Sequence, residues 1–194
     1  MSMAEEQEGF ERRTSREVAE RVLGLLATLG KVHFPEESAT WINHKEIHQH
    51  LSPLEKRFVD SENPSEQDRV IFSWRAEALV SLLWSLNGLS DMPALDEQFE
   101  TYQNAMVVRA TTQTKCFLEE AQLRGEEELD EMEHYLYHQH WRVRDHELGL
   151  GMDKPGEDDP DVSRLDPGIV YERRYGMSWV TGSGETWDDV PTDT

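Results

Sequence analysis

The sequence predicts an all-α fold, a single compact helical domain of about six or seven helices with a partly irregular C-terminal segment. Three observations predict it. Apolar residues recur at intervals of three and four along most of the chain. A Thr, Ser or Asn repeatedly stands three residues before an acid, the spacing of a capped helix start (Thr14 and Glu17, Ser52 and Glu55, Asn63 and Glu66). Prolines fall between these stretches, where they interrupt no helix.

Residues 1–13 are polar and charged and read as a flexible tail, leaving residues 14–194 as the helical domain. Thr14 opens a first helix whose apolar face is Val18, Val22, Leu25, Leu26 and Leu29, with Gly30 as its expected stop. Pro35 separates it from a second helix, expected at residues 39–51 from the spacing of Trp41, His44, Ile47, His48 and Leu51. Ser52-Pro53-Leu54-Glu55 starts a helix of two turns, and Asn63-Pro64-Ser65-Glu66 repeats that arrangement. Residues 64–87 follow as the expected central helix, because Ala78, Leu79, Leu82, Leu83, Trp84 and Leu86 surround its second half with apolar surface.

Residues 96–122 carry weaker helical patterns, and the threonines at 111, 112 and 114 mark a break. Residues 126–148 form the next strong helix, with acids crowding its N-terminal turns and Arg142, Arg144 and His146 toward its C-terminus, as the helix dipole favours. Residues 149–163 read as an exposed loop of Gly, Pro and acids. Asp166-Pro167-Gly168 caps a last short helix to about Val180, and Gly182-Ser183-Gly184 turns into an extended tail.

Composition narrows the function classes. Forty acids against 19 bases give a net charge of −21, which repels nucleic-acid phosphates and anionic lipid and attracts basic proteins. Neither a nucleic-acid partner nor a membrane is expected. The single cysteine, Cys116, permits no internal disulfide, and the acidic N-terminus lacks the apolar stretch of a signal peptide. A cytoplasmic location is the expectation.

Three blocks carry a resemblance. They are Ser73-Trp74-Arg75-Ala76-Glu77-Ala78-Leu79, then His140-Trp141-Arg142-Val143-Arg144-Asp145, then a tail. The tail reads Leu165-Asp166-Pro167-Gly168-Ile169-Val170-Tyr171-Glu172-Arg173, followed by Trp187-Asp188-Asp189-Val190 and Thr192-Asp193-Thr194. In this order they resemble the bacterial family catalogued as domain of unknown function 4272, and the likeness runs from the first helix to the last residue. It implies a bacterial cytoplasmic globular protein and brings with it no activity, cofactor or catalytic residue.

Candidate chemistry collects on two helices. His134, His138, Trp141 and Asp145 form one stripe, since they are spaced by four, three and four. A histidine pair at i and i+4 (His134 with His138, or His44 with His48) can hold a metal. The chain has one Glu-x-x-His step where a di-iron bundle uses two, and no His-Glu-x-x-His zinc motif. These histidines therefore read as residues at the edges of amphipathic faces, and no metal or other cofactor is expected. Cys116 has no flanking base motif and reads as an inert, half-buried thiol.

Arg75 shares a face with Leu79, Leu82 and Leu86, so its guanidinium either snorkels to the surface or is paired, with Asp145, Glu172 or a tail acid such as Asp193 as candidate partners. The structural expectation is an ion pair that docks the C-terminal segment on the central helix. The functional expectation is a polar pocket that binds a small ligand, with Arg75, Glu77, His138, Trp141, Asp145, Glu172 and Arg173 as its residues. Glu77 lies on a polar stripe with Ser73, Ser81 and Ser85, read as a solvated face or a cleft wall. No catalytic set is expected. The first functional expectation is a non-catalytic interaction or regulatory protein, immunity-like in kind, binding a basic protein partner through its acidic surface. The alternative is a small-ligand or metal-dependent enzyme with its pocket between the central helix, helix 126–148 and the tail.

Overall fold

A computed structural model describes residues 11–192. Among the described residues there are eight α-helices, four short 3-10 turns and no strand. The helices are α1 (Ser15–His33), α2 (Pro35–His44), α3 (Pro53–Asp60), α4 (Glu66–Ser85), α5 (Ala105–Thr112), α6 (Thr114–Glu119), α7 (Glu126–Leu148) and α8 (Pro167–Val180). None of them is long and apolar enough to cross a membrane.

The chain builds outward from α4, which packs against α1 on one side and α8 on the other, with α7 laid against α8. Every residue of α4 from Glu77 to Ser85 is buried, as is every residue of α8 from Glu172 to Val180. Close approach of these two helices depends on Gly176, where a Cβ would lie 2.6 Å from the backbone oxygen of Ala78.

Helix starts follow local chemistry. In α1 the Thr14 hydroxyl accepts from the Glu17 amide at 3.3 Å and the Glu17 carboxylate accepts from the Thr14 amide at 2.7 Å. That backbone bond to Thr14 holds the Glu17 carboxyl below its usual pKa. Ser52 with Glu55 and Ser65 with Asp68 cap α3 and α4 in the same way. The start of α4 thus falls at Ser65, two residues past the expected Asn63, because Asp68 supplies the returning carboxylate.

Several boundaries differ from the sequence expectation. Helix α1 runs through Gly30 to His33. Gly30 is there for proximity, since a Cβ would sit 2.8 Å from Ser38 Oγ of α2. Pro35 begins α2 instead of preceding it, at the N-terminal position where its missing N–H costs nothing. Glu46 adopts a left-handed φ of 56°, so the expected helix 39–51 divides into the end of α2 and a 3-10 turn at Ile47–His50. Residues 96–122 supply two short helices broken at Gln113, beside the threonine run.

Residues 1–10 of the expected flexible tail lie outside the described residues. Arg12 and Arg13, also assigned to it, are tied down: Arg12 pairs with Asp130 at 2.7 Å and the Arg13 amide donates to Val180 O at 3.1 Å.

Candidate functional site

Six arginines organise the structure, and three of them (Arg124, Arg142 and Arg173) donate to backbone carbonyls as well as to a carboxylate. Arg173, with no exposed surface, donates from Nε to Glu77 Oε2 at 2.9 Å with Nη2 in ion-pair contact with the same oxygen at 2.8 Å, and it donates from Nη1 to the Ala94 oxygen at 2.8 Å and to the Pro93 oxygen. Glu77 Oε1 accepts from the Phe99 amide at 3.0 Å. One buried pair thereby joins α4, α8 and the loop at 93–99. Arg142, also without appreciable exposure, binds Asp153 at 2.9 Å, Gln139 at 2.8 Å and the Pro160 oxygen at 3.0 Å. Arg21 pairs with Glu55 beneath Trp187, and Arg124 stacks on Trp84 while donating to the Trp84 carbonyl in the last turn of α4 and to the Leu89 carbonyl in the loop after it.

Arg75 pairs with Glu172 at 3.0 Å and lies over the Tyr175 ring, 4.4 Å from its centroid. Burial works to lower the Arg75 pKa, but the Glu172 and Tyr175 charges outweigh it and the net shift is upward. Burial likewise raises the Glu172 carboxyl, with Arg75 opposing and Glu77 adding to the rise. It pushes the Tyr175 hydroxyl up to about 12. Trp187, the buried residue of the 3-10 turn Trp187–Asp189, packs edge-on against Tyr175 and Trp179 beside this pair, and its carbonyl accepts from Tyr175.

Next to Arg75 and Glu172 a cleft of about 410 Å³ opens between α4, α7 and α8. Ile71, Trp74, Val143 and Tyr171 form its apolar walls, and His140, Arg144, Glu147 and Glu172 its polar ones. Gly168 closes one side so tightly that a Cβ would meet the Trp74 ring at 2.7 Å. The Arg174 guanidinium approaches His140 Nδ1. Because a guanidinium only donates, Nδ1 must accept, and the ring is neutral with its proton on Nε2. Burial first, then Arg174, lowers the His140 pKa to about 4. Arg144 is spent on Glu147 at 2.8 Å.

The sequence-derived site residues separate into three groups. Arg75 and Glu172 meet each other at the edge of the cleft. Glu77 and Arg173 meet in the core, where their hydrogen bonds are taken up by each other and by loop backbone. The stripe of Glu77, Ser81 and Ser85 is therefore buried under α8, not solvated; Ser81 donates to the Arg173 carbonyl at 2.7 Å. His138, Trp141 and Asp145 lie apart from both groups, and His138 and Asp145 face the segment after α7. His138 is 3.7 Å from Asp159 and its ring lies 6.2 Å from Trp141, while Asp145 accepts from the Met152 and Asp153 amides at 3.0 Å each. Asp145 does not reach Arg75, and Asp193, the tail acid considered for it, lies outside the described residues.

The loop at 149–163 is exposed or half-exposed throughout, as expected, and it is also pinned by Asp145, Arg142 and Gln139, the last donating to Asp159 at 2.9 Å. Among the described residues no group of three or more His, Cys, Asp or Glu is gathered as a metal would need. Cys116 is exposed, not half-buried. Sequence reasoning missed His140, Tyr171 and Trp74 as cleft walls. The first block of the resemblance contains Trp74, the second His140 and the third Tyr171, so their co-occurrence was the available signal.

The family model described as Domain of unknown function (DUF4272) matches residues 1–190 of the chain. No curated protein and no solved structure matches it.

Proposed function

The chain belongs to the DUF4272 family, and from that premise, which names no activity, we propose that it is a non-catalytic interaction or regulatory protein, immunity-like in kind, that binds a basic protein partner through its acidic surface. One observation carries the reading. Among the described residues burial takes in four arginines (Arg21, Arg142, Arg173, Arg174) and four acids (Glu55, Glu77, Asp145, Glu172), so it neutralises none of the net charge of −21. The buried arginines are engaged inside the fold, and the acids that outnumber them face outward, as at Glu126, Glu127, Glu128, Asp130 and Glu131 on α7. Such a surface steers basic proteins toward it and holds them by contacts that salt weakens.

The test is titration of the purified chain with the basic products of neighbouring genes, followed by gel filtration at low and high salt. A complex that forms at low salt and loosens as salt rises supports the reading. Absence of a complex with every basic neighbour removes it.

A second reading rests on the cleft. Its aromatic and aliphatic walls, with His140, Glu147 and Glu172 at the rim, suit a small ligand carrying both apolar and polar groups. An enzyme working there would use residues held by the Arg75–Glu172 pair. Soaking or titration with a fragment set, read by protection of Trp74 fluorescence against quenching, tests it; no protected fragment defeats it. Elemental analysis of the purified protein tests the metal-dependent form.

A further inference from the structure

The C-terminal end of α7 presents Leu148, Leu150 and Met152, three large apolar side chains exposed by 60%, 58% and 57% within five residues. A flexible loop would fold such residues inward. Here the backbone is fixed so that they stay out. Gly149 and Gly151 take left-handed φ values of 64° and 67°, and a Cβ on either would touch nothing within 4 Å, so the segment stands clear of the rest of the fold. The buried Asp145 carboxylate accepts from the Met152 amide at 3.0 Å and the Asp153 amide at 3.0 Å, and the Leu150 amide donates to Asp145 O at 3.1 Å. Arg142 holds the far side through Asp153 and the Pro160 carbonyl. A buried guanidinium and a buried carboxylate thus serve to display three hydrophobic residues, a costly arrangement for a passive turn.

Charge selects the occupant. Between residues 145 and 163 the sequence has seven acids and one lysine, Lys154. Asp145, Asp153 and Asp159 are engaged inside the loop, while Glu157, Asp158 and Asp161 are exposed around it. A second copy of this chain, carrying the same −21, and an anionic membrane are both repelled. We infer that the Leu148–Leu150–Met152 knuckle is the docking point for an amphipathic segment of the basic partner, one whose apolar face packs on these three residues while its Lys and Arg meet the flanking acids. This inference rests on the acidic-surface reading and names the place and the chemistry of contact.

Two synthetic peptides of identical Leu and Lys composition provide the test, one with leucines at helical spacing and the other scrambled. Each is titrated into the wild-type chain and into Leu150→Ser/Met152→Ser at physiological salt, and the variant's melting midpoint is checked against wild type. The amphipathic peptide is expected to bind the wild type about tenfold tighter than its scrambled isomer, with that preference lost in the variant. The weaker binding of the scrambled peptide should be the same for both proteins. Equal binding of both peptides by wild type, or a preference kept by the variant, overturns the inference and leaves the acidic-surface reading standing. No binding of either peptide, even at low salt, removes the acidic-surface reading as well. Sedimentation supplies a further arm: self-association of the chain that the double variant abolishes would assign the knuckle to a second copy and overturn the inference.

Discussion

Arg173 and Glu77, 96 residues apart in the chain, meet at 2.8 Å with at most 1% of either side chain exposed. Removing one charge from such a pair strands the other in the core. Glu77→Gln is expected to cost about 3–5 kcal/mol, or roughly 10 °C in melting temperature for a domain of this size. Glu77→Met/Arg173→Met should cost less than the two single changes summed. Thermal denaturation of Glu77→Gln, Glu77→Met, Arg173→Met and the double variant checks both statements, and additive losses in the Met cycle would show that the pair is not coupled.

Acid should weaken the fold through His140. Its folded pKa of about 4 lies below the unfolded value of roughly 6.5, so folding favours the neutral ring. That contribution is complete above pH 6.5 and is lost as pH falls from 6.5 toward 4. Allowing for solvent in the adjoining cleft, it amounts to about 2 kcal/mol. Glu172, raised by burial, changes stability in the opposite sense as pH falls. Comparison with His140→Asn, whose amide oxygen can still accept from Arg174, isolates the imidazole. Urea denaturation between pH 7 and pH 4.5 should show a shallower decline for that variant.

Gly176→Ala should destabilise by about 1–3 kcal/mol, because the added methyl meets the α4 backbone and backbone cannot rotate away. Gly156→Ala is the control, with its new Cβ at an ordinary 3.5 Å from Asp159. Equal melting curves for the two variants would mean that α4 and α8 are not packed as closely as described.

Asp145→Ala should loosen the segment after α7 without melting the bundle. Limited proteolysis is expected to cut faster between residues 150 and 161, with a smaller fall in melting temperature than Glu77→Gln produces. Unchanged cleavage would show that other contacts hold the loop.

Helices with strong local signals were legible in the sequence. The capping pair Thr14 and Glu17, the acid-to-base gradient across 126–148 and the Asp166-Pro167 start each fix a boundary through neighbouring residues alone. Gly30 was misread because its reason is α2, which local sequence does not show. The same holds for the site. The apolar face around Arg75 leaves pairing or snorkelling open, and the structure shows the pair, with Glu172, one of the candidate partners. Glu77 reads as part of a solvated face or a cleft wall because a Glu–Ser–Ser stripe has a polar composition; only the approach of α8 makes it interior. His138 and Asp145 serve the loop after α7 and not the cleft, a long-range outcome that helical periodicity cannot register.

The late position of α8 sets the order of events at the ribosome. Glu77 leaves the tunnel 96 residues ahead of Arg173, an interval of roughly 5–20 s at ordinary elongation rates. Throughout it, the Glu77 carboxylate and the flank of α4 that α8 will cover stay open to water, so this part of the core closes only when α8 arrives.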